Sequence, residues 1–213
     1  MTQKDHDAAS NDLAYVRAIA EEGRNAPLTG GLMFVWWGSV IGLAALVQYV
    51  SDIGLVKWPV DMLWRWTIAL AIGWGAGFWV ERKFVTKIPG GTTFGNKTST
   101  AAWAGVGIFM TVYFLGLTAA MFMMKDKGFP FEYLFGSMFP VVFGLFGVTY
   151  LVTSVAANLK WMRNISIVSW VLMVAMIFAL NSSHGMLLGA LGCFALMVVP
   201  GIILMRQQPT DII

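Results

Sequence analysis

Long apolar runs alternate with short polar segments along most of the chain. A helix needs about twenty apolar residues to cross the hydrocarbon core of a bilayer, and six runs are close to or above that length. Inside these runs, polar residues do not recur with the period that marks a helix lying on a soluble core. The pattern predicts six membrane-spanning helices, at Leu32–Val50, Met62–Val80, Ala101–Met124, Tyr133–Ala156, Trp161–Leu180 and Gly185–Met205.

A shorter segment with a different pattern comes before the first run. Residues 11–24 predict an amphipathic helix with an apolar face, and the segment from Ala26 to Gly31, which contains Pro27, ends it. Such a face indicates either a helix that lies on lipid headgroups or a docking surface for another helix or a cytosolic partner. The candidate partner-binding residues on this face are Leu13, Val16, Ile19 and Ala20.

The composition points to the same class of protein. Of the 213 residues, 58% are hydrophobic and 12% are charged, whereas soluble domains average about 25% charged residues. We therefore predict an all-α fold, a polytopic membrane helix bundle with six transmembrane helices preceded by a short amphipathic cytoplasmic helix. Its parts are a cytoplasmic N-terminal segment (1–31), a transmembrane domain (32–206) and a cytoplasmic tail (207–213).

The basic residues predict the orientation of the spans, because cytoplasmic loops carry an excess of lysine and arginine. Ten of the fourteen lysines and arginines fall on the side of the membrane that holds both chain termini, so both termini are expected in the cytoplasm. No basic cluster with interleaved aromatic residues lies outside the runs, and we therefore expect no nucleic-acid partner. The ten residues are Lys4, Arg17, Arg24, Arg82, Lys83, Lys87, Lys97, Lys160, Arg163 and Arg206.

Glycine pairs spaced four residues apart occur in three of the runs. Each pair puts two small residues on one helix face, where another helix can approach closely. We predict contacts within the bundle first and contacts between copies of the chain, in a homo-oligomer, second. The candidate packing residues are Gly38 and Gly42, Gly73 and Gly77, and Gly185 and Gly189.

Residues that carry out chemistry are scarce in the predicted spans. No Asp, Glu, Lys or Arg lies in the middle of a span, where a charge costs roughly 2.5–3.5 kcal/mol and is kept for function. His184, in the turn before the last span, has no second ligand positioned for a metal or haem. The segment Pro89–Thr98 lacks the spacing of a phosphate-binding loop and predicts a flexible cytoplasmic loop. We expect no catalytic, metal-binding or cofactor-binding residue, and no enzyme.

Both ends of the chain resemble an uncharacterised family of proteobacterial six-span inner-membrane proteins. At the start the similarity lies in Asp12–Arg17, Ala20–Leu28 and the pair Gly30-Gly31; at the end it lies in Val199–Arg206. The resemblance implies a multi-pass protein of the bacterial inner membrane with a similar layout, and it implies no activity, ligand or catalytic residue.

Two functions follow as hypotheses. The first is a non-enzymatic accessory or scaffold protein that contacts membrane lipids and engages a cytosolic or membrane protein through its N-terminal helix. The second is a small uncoupled transporter or channel for an apolar or weakly polar solute, which predicts a polar cavity lined by Thr111, Tyr150 and Thr153.

Overall fold

The computed structural model describes residues 27–85, 93–124, 131–180, 182 and 184–208, and all the regular structure in these residues is helical. The predicted amphipathic helix and its residues Leu13, Val16, Ile19 and Ala20 lie outside the described residues. The helices are α1 (Gly31–Asp52), α2 (Met62–Val80), α3 (Phe94–Met123), α4 (Phe131–Gly136), α5 (Met138–Ala156), α6 (Lys160–Phe178), α7 (Gly185–Cys193) and α8 (Val199–Arg206).

Two π-helical turns extend these helices. Glu81–Val85 continues α2, and Phe194–Val198 joins α7 to α8 in one rod. Five membrane-length apolar helices occur in the described part of the chain, at Gly31–Asp52, Phe94–Met123, Leu134–Ala156, Lys160–Phe178 and Gly185–Arg206. The all-helical fold with several membrane-length helices is thereby confirmed.

Helix α2 differs from these five in hydropathy. It has the predicted bounds, Met62–Val80, but it carries Arg65 and four tryptophans, which lower its average hydropathy. Its surface is nevertheless apolar, since Ile68 and Ile72 are exposed along it. The same holds on the outside of the other long helices, where Val155 and Phe178 are 75% and 85% exposed. Large exposed apolar surfaces of this kind are typical of a protein that faces lipid.

Helix α3 begins seven residues before the predicted span. Thr93 caps it, because its side chain accepts a hydrogen bond from the backbone N–H of Asn96, with 3.4 Å between N and Oγ1. The prediction of a flexible loop over Pro89–Thr98 is therefore wrong from Thr93 onward, and residues 86–92 lie outside the described part.

The two prolines that the spans contain occupy different positions. Pro140 lies in the first turn of α5, just after the break at Ser137, where a missing N–H leaves no helical bond unmade. Pro200 follows the π-helical turn and cannot donate to the carbonyl of Leu196, four residues earlier. The hydroxyl of Tyr150, on α5, donates to that carbonyl instead.

Helix α1 packs against other helices on two sides. One side of it packs against α2 and the other against the rod formed by α7 and α8, while α5 packs against α6 and α3. The backbones of α1 and α8 approach most closely at Gly31 and Gly201, where a Cβ on Gly31 would lie 2.7 Å from the carbonyl oxygen of Gly201. Tyr150 and Phe143 are fully buried in the core beneath.

Candidate functional site

A crevice separates α2 from α3. Helix α2 packs mainly against α1, and α3 packs mainly against α5, so the space between α2 and α3 is not filled by either helix. The crevice has a volume of about 430 Å³, which lies in the range of small-molecule pockets, roughly 300–1,000 Å³. It reaches the outside of the bundle, because Phe78 and Ile108 line it and are 57% and 58% exposed.

Most of the crevice wall is aromatic or aliphatic. Phe34 and Trp103 meet edge to face inside it, with ring centroids 4.4 Å apart. Trp66 on α2 faces Phe139 on α5 in the same way at 6.1 Å. The wall extends from Glu81 at one end of α2 to Met62 at the other, which at 1.5 Å per helical residue is about 30 Å. Such a wall suits an extended apolar ligand.

One tryptophan bridges the crevice midway. The indole Nε1 of Trp74, on α2, donates to Oγ1 of Thr111, on α3, over 3.1 Å. The ring of Trp37, on α1, packs edge to face against Trp74 with centroids 5.3 Å apart. Opposite Trp74, a Cβ on Gly107 would meet its ring at 3.6 Å, an ordinary contact. This hydrogen bond links α2 and α3 across the crevice.

Polar residues gather at the end of the crevice near the start of α3. Thr29, Asn96, Ser99, Thr100 and Glu81 line it there. Among the lining residues, all of which are described, Glu81 is the one acidic or basic residue. The other end, near Met62, carries no charge. The crevice is therefore an apolar space with one polar mouth.

Asn96 is the most connected polar residue at this mouth, and its side chain is 2% exposed. Its Oδ1 accepts from the backbone N–H of Thr29 at 2.9 Å and from the Thr29 hydroxyl at 3.2 Å. Its Nδ2 donates to the carbonyl of Pro27 at 3.0 Å and to Oγ1 of Thr93 at 3.1 Å. These bonds, called the Asn96 clasp below, fix the chain just before α1 to the start of α3.

A second polar contact holds the same stretch from the other side. Nε2 of Gln208, after α8, donates to the carbonyl of Leu28 over 3.1 Å. Pro27 and Thr29 are thus hydrogen-bonded to the start of α3, and Leu28 is hydrogen-bonded to a residue just after α8. The described stretch just before α1 is therefore held at both of its sides.

The glycines singled out in the sequence lie at helix contacts, where several of them receive side chains. A Cβ on Gly38 would lie 2.7 Å from Cβ of Met197, and one on Gly42 would lie 2.9 Å from the ring of Phe194. Gly73 lies under the ring of Trp37, and Gly77 lies 3.0 Å from Nε1 of Trp36 by the same measure.

The last glycine pair has two different neighbours. Gly189 faces the ring of Phe139 at 2.9 Å, and Gly185 faces the carbonyl oxygen of Ala179 at 2.7 Å. Large rings therefore occupy several of the notches that glycine leaves. The Trp36 indole also donates to the carbonyl of Gly73 over 3.0 Å, which a side chain at Gly73 would obstruct.

The three residues predicted to line a polar cavity are separated in the structure. Thr111 lines the crevice, but Tyr150 and Thr153 are fully buried between helices and do not line it. Thr153 donates to the hydroxyl of Ser99 over 3.5 Å. His184 lies at the opposite end of the bundle from Asn96, where its Nδ1 and the Tyr49 hydroxyl are 3.0 Å apart.

Buried polar atoms without a hydrogen-bond partner occur near the end of the bundle that holds His184. Nε and Nη1 of Arg65, in the first turn of α2, have none, and neither does Oε1 of Gln48, whose Nε2 donates to Asp52 over 2.6 Å. Within the described residues no three His, Cys, Asp or Glu side chains come together as metal ligands would. No family model, curated protein or solved structure matches the chain.

The crevice and the clasp were not predicted. The polar residues before Ala101 resembled a loop, although Thr93 three residues before Asn96 is a helix-start signal that would have placed α3 correctly. For the crevice, the available signal was the seven tryptophans in the first three runs, of which Trp37, Trp66, Trp74 and Trp103 line it.

Proposed function

We propose that this protein is a non-enzymatic accessory or scaffold protein of a bacterial inner membrane, with six transmembrane helices and both termini in the cytoplasm. Its N-terminal helix, residues 11–24, engages a cytosolic or membrane protein through Leu13, Val16, Ile19 and Ala20. The observation that carries the proposal is the Asn96 clasp, which fixes the exit point of the segment that contains this helix.

The clasp supports a docking role for a physical reason. A partner-binding segment on a free tether pays the full entropy of ordering when it binds, whereas one that leaves a rigid body at a fixed point pays less. Three hydrogen bonds hold Pro27 and Thr29 to Asn96 at the start of α3, and a fourth holds Leu28 to Gln208. A segment that served only as a linker would not need a buried asparagine with this many hydrogen-bond partners.

Six spans are proposed because α2 is a membrane-length helix packed along α1. Its nineteen residues extend about 28 Å at the usual helical rise, close to the thickness of the hydrocarbon core. At one end its basic residues pack on aromatic rings, with Arg82 over Phe78 at 4.6 Å and Lys83 over Trp79 at 4.7 Å. Basic and aromatic residues in this combination are typical of the membrane interface on the cytoplasmic side.

The test is co-purification in mild detergent of the full chain and of a chain that lacks residues 1–26. The proposal expects a protein that is stoichiometric with the full chain and absent from the truncated one. The matched control is the triple substitution of Leu13, Val16 and Ile19 by Ser, which keeps the segment but removes its apolar face. Identical sets of companions for all three proteins would refute a docking role for the segment.

A second function, the uncoupled binding or passage of an apolar or weakly polar solute, is favoured by the crevice between α2 and α3. Its volume and aromatic wall suit a drug-sized apolar molecule. Titration with diphenylhexatriene, whose fluorescence rises in apolar surroundings, tests for such a site in the detergent-solubilised protein. Saturable binding that Gly107→Phe abolishes and Gly105→Phe preserves would support this function, and binding that is equal in both variants would refute it.

A further inference from the structure

The crevice is accessible sideways, from the position that lipid occupies around a membrane protein. Its rim is formed by exposed apolar side chains of α2 and α3, including Trp74, Phe78 and Ile108. In a bilayer the molecules next to such a rim are lipid acyl chains. An apolar space that is open to them and large enough for a ligand does not stay empty, because the wall would otherwise lose its van der Waals contacts.

The shape of the crevice fits a chain with one polar end. The wall is apolar along α2 as far as Met62, and polar groups occur at the mouth near Asn96. A bilayer lipid has the same polarity along its length, with an apolar chain and a headgroup at the membrane surface. The mouth lies at the end of α2 that carries Arg82 and Lys83, where an interface is expected.

The charges at the mouth favour one class of headgroup. Glu81 lines the crevice, and Thr100 contributes a hydroxyl to the same wall. Arg82 and Lys83, which follow Glu81 in the same π-helical turn, pack on the rings of Phe78 and Trp79 and do not line the crevice. A headgroup with a primary ammonium matches this carboxylate, because the ammonium can donate a charge-assisted hydrogen bond to it.

We propose that the crevice between α2 and α3 binds one acyl chain of an amine-headgroup phospholipid, with the ammonium group at Glu81. A choline headgroup lacks N–H donors for the carboxylate and is bound less well. A glycerol headgroup lacks the positive charge, so the negative phosphate of that lipid is repelled by the carboxylate. This inference rests on the second function proposed above, the binding of an apolar molecule in the crevice.

Photo-crosslinking in vesicles tests the inference. The purified full chain is reconstituted in phosphatidylcholine vesicles that contain a small fraction of phosphatidylethanolamine with a diazirine halfway along one acyl chain. After illumination, labelled peptides are mapped by mass spectrometry. Label is expected on peptides of α2 and α3 that line the crevice, and an excess of unlabelled phosphatidylethanolamine is expected to displace it.

Two glycines of α3 give a matched pair of variants. Gly107 lies inside the crevice, with the Trp74 ring 3.6 Å from where its Cβ would be, whereas Gly105 has no atom within 4 Å of that position and does not line the crevice. Gly107→Phe should reduce crevice labelling at least fivefold, and Gly105→Phe should leave it unchanged. Gly107→Ala, which keeps the space open, should label like the original protein and controls for folding. Equal crevice labelling of Gly107→Phe and Gly105→Phe overturns the site.

Glu81→Gln tests the headgroup. At a fixed fraction of labelled lipid, replacing most of the phosphatidylcholine of the vesicle by phosphatidylethanolamine should lower crevice labelling about threefold, as expected for one exposed ion pair, and Glu81→Gln should remove this difference. Equal labelling of the original protein in both kinds of vesicle overturns the amine assignment. If diphenylhexatriene binding depends on Gly107 but no lipid label reaches the crevice, the lipid proposal fails while the solute function stands. If neither binds, both fail.

Discussion

Asn96 holds Thr29 by two hydrogen bonds to a single oxygen, across 67 residues of sequence. Oδ1 of Asn96 accepts from the backbone N–H and from the hydroxyl of Thr29, at 2.9 and 3.2 Å. Because the same amide also donates to the carbonyl of Pro27, it ties the entrance of α1 to the start of α3. The two helices on either side of α2 are thereby joined at the mouth of the crevice.

Removing this amide is expected to destabilise the bundle. Asn96→Ala leaves the buried N–H of Thr29 and the carbonyl of Pro27 without partners, and each unpaired group costs about 1–3 kcal/mol. We expect a lower midpoint of thermal unfolding in detergent and faster proteolysis near residue 27. Asn164→Ala, at an exposed position on α6, is the control and should change neither. An unfolding midpoint for Asn96→Ala equal to that of the control would contradict the clasp.

Three glycines on α2 test how α1 and α2 pack. Gly73 and Gly77 face Trp37 and Trp36, while Gly75 has no atom within 4 Å of its Cβ position. Gly73→Leu and Gly77→Leu should each destabilise the protein by about 1–3 kcal/mol through overpacking. Gly75→Leu should be neutral or slightly stabilising, since leucine is the better helix former. The measurement is chemical unfolding in mixed micelles, and equal effects at all three positions would argue against the packing.

Substitution of Tyr150 tests whether its hydroxyl replaces the hydrogen bond that Pro200 cannot donate. Tyr150→Phe removes the hydroxyl that donates a hydrogen bond to the carbonyl of Leu196. A buried acceptor without a partner lowers the free energy of unfolding by about 1–3 kcal/mol. Tyr113→Phe is the comparison, because the Tyr113 hydroxyl bonds to Ser137 in a half-buried position, 2.8 Å away. We expect the larger loss of thermal stability for Tyr150→Phe. A greater loss for Tyr113→Phe would be the contrary result.

The bond between Trp74 and Thr111 is expected to couple α2 to α3. A double-mutant cycle with Trp74→Phe and Thr111→Val should give a coupling free energy of about 0.5–1.5 kcal/mol, the usual net value of one hydrogen bond. Spin labels on the exposed residues Phe78 and Ala104 should report a wider α2–α3 distance in either single variant. A coupling near zero together with unchanged distances would mean that the bond does not hold α2 and α3 together.

The sequence predicted the helices well where the cause of the helix is local. Apolar length alone placed α2 at Met62–Val80 and α1 within two residues at each end. It failed at α3, because residues 94–100 are polar on average, and the burial of Asn96 depends on Pro27 and Thr29, far away in the chain.

The site was less predictable than the helices, for a physical reason. The crevice exists because α2 and α3 lie near each other without packing together. The spacing of residues within one helix does not indicate which other helix it will fail to contact. The small residues of α2 predicted close contact, and the structure uses them for the rings of Trp36 and Trp37. Those rings fill the space between α1 and α2 and leave the side of α2 that faces α3 unfilled.

The measurement that tests the central claim most directly is photo-crosslinking in living cells from single positions of the N-terminal segment. A photoreactive amino acid replaces Val16 or Ile19, on the predicted apolar face, or Glu21, on the predicted polar face. We expect the same protein to be captured from Val16 and Ile19, and at least fivefold less of it from Glu21. Capture of that protein equally from all three positions, or of lipid alone from Val16 and Ile19, would contradict it.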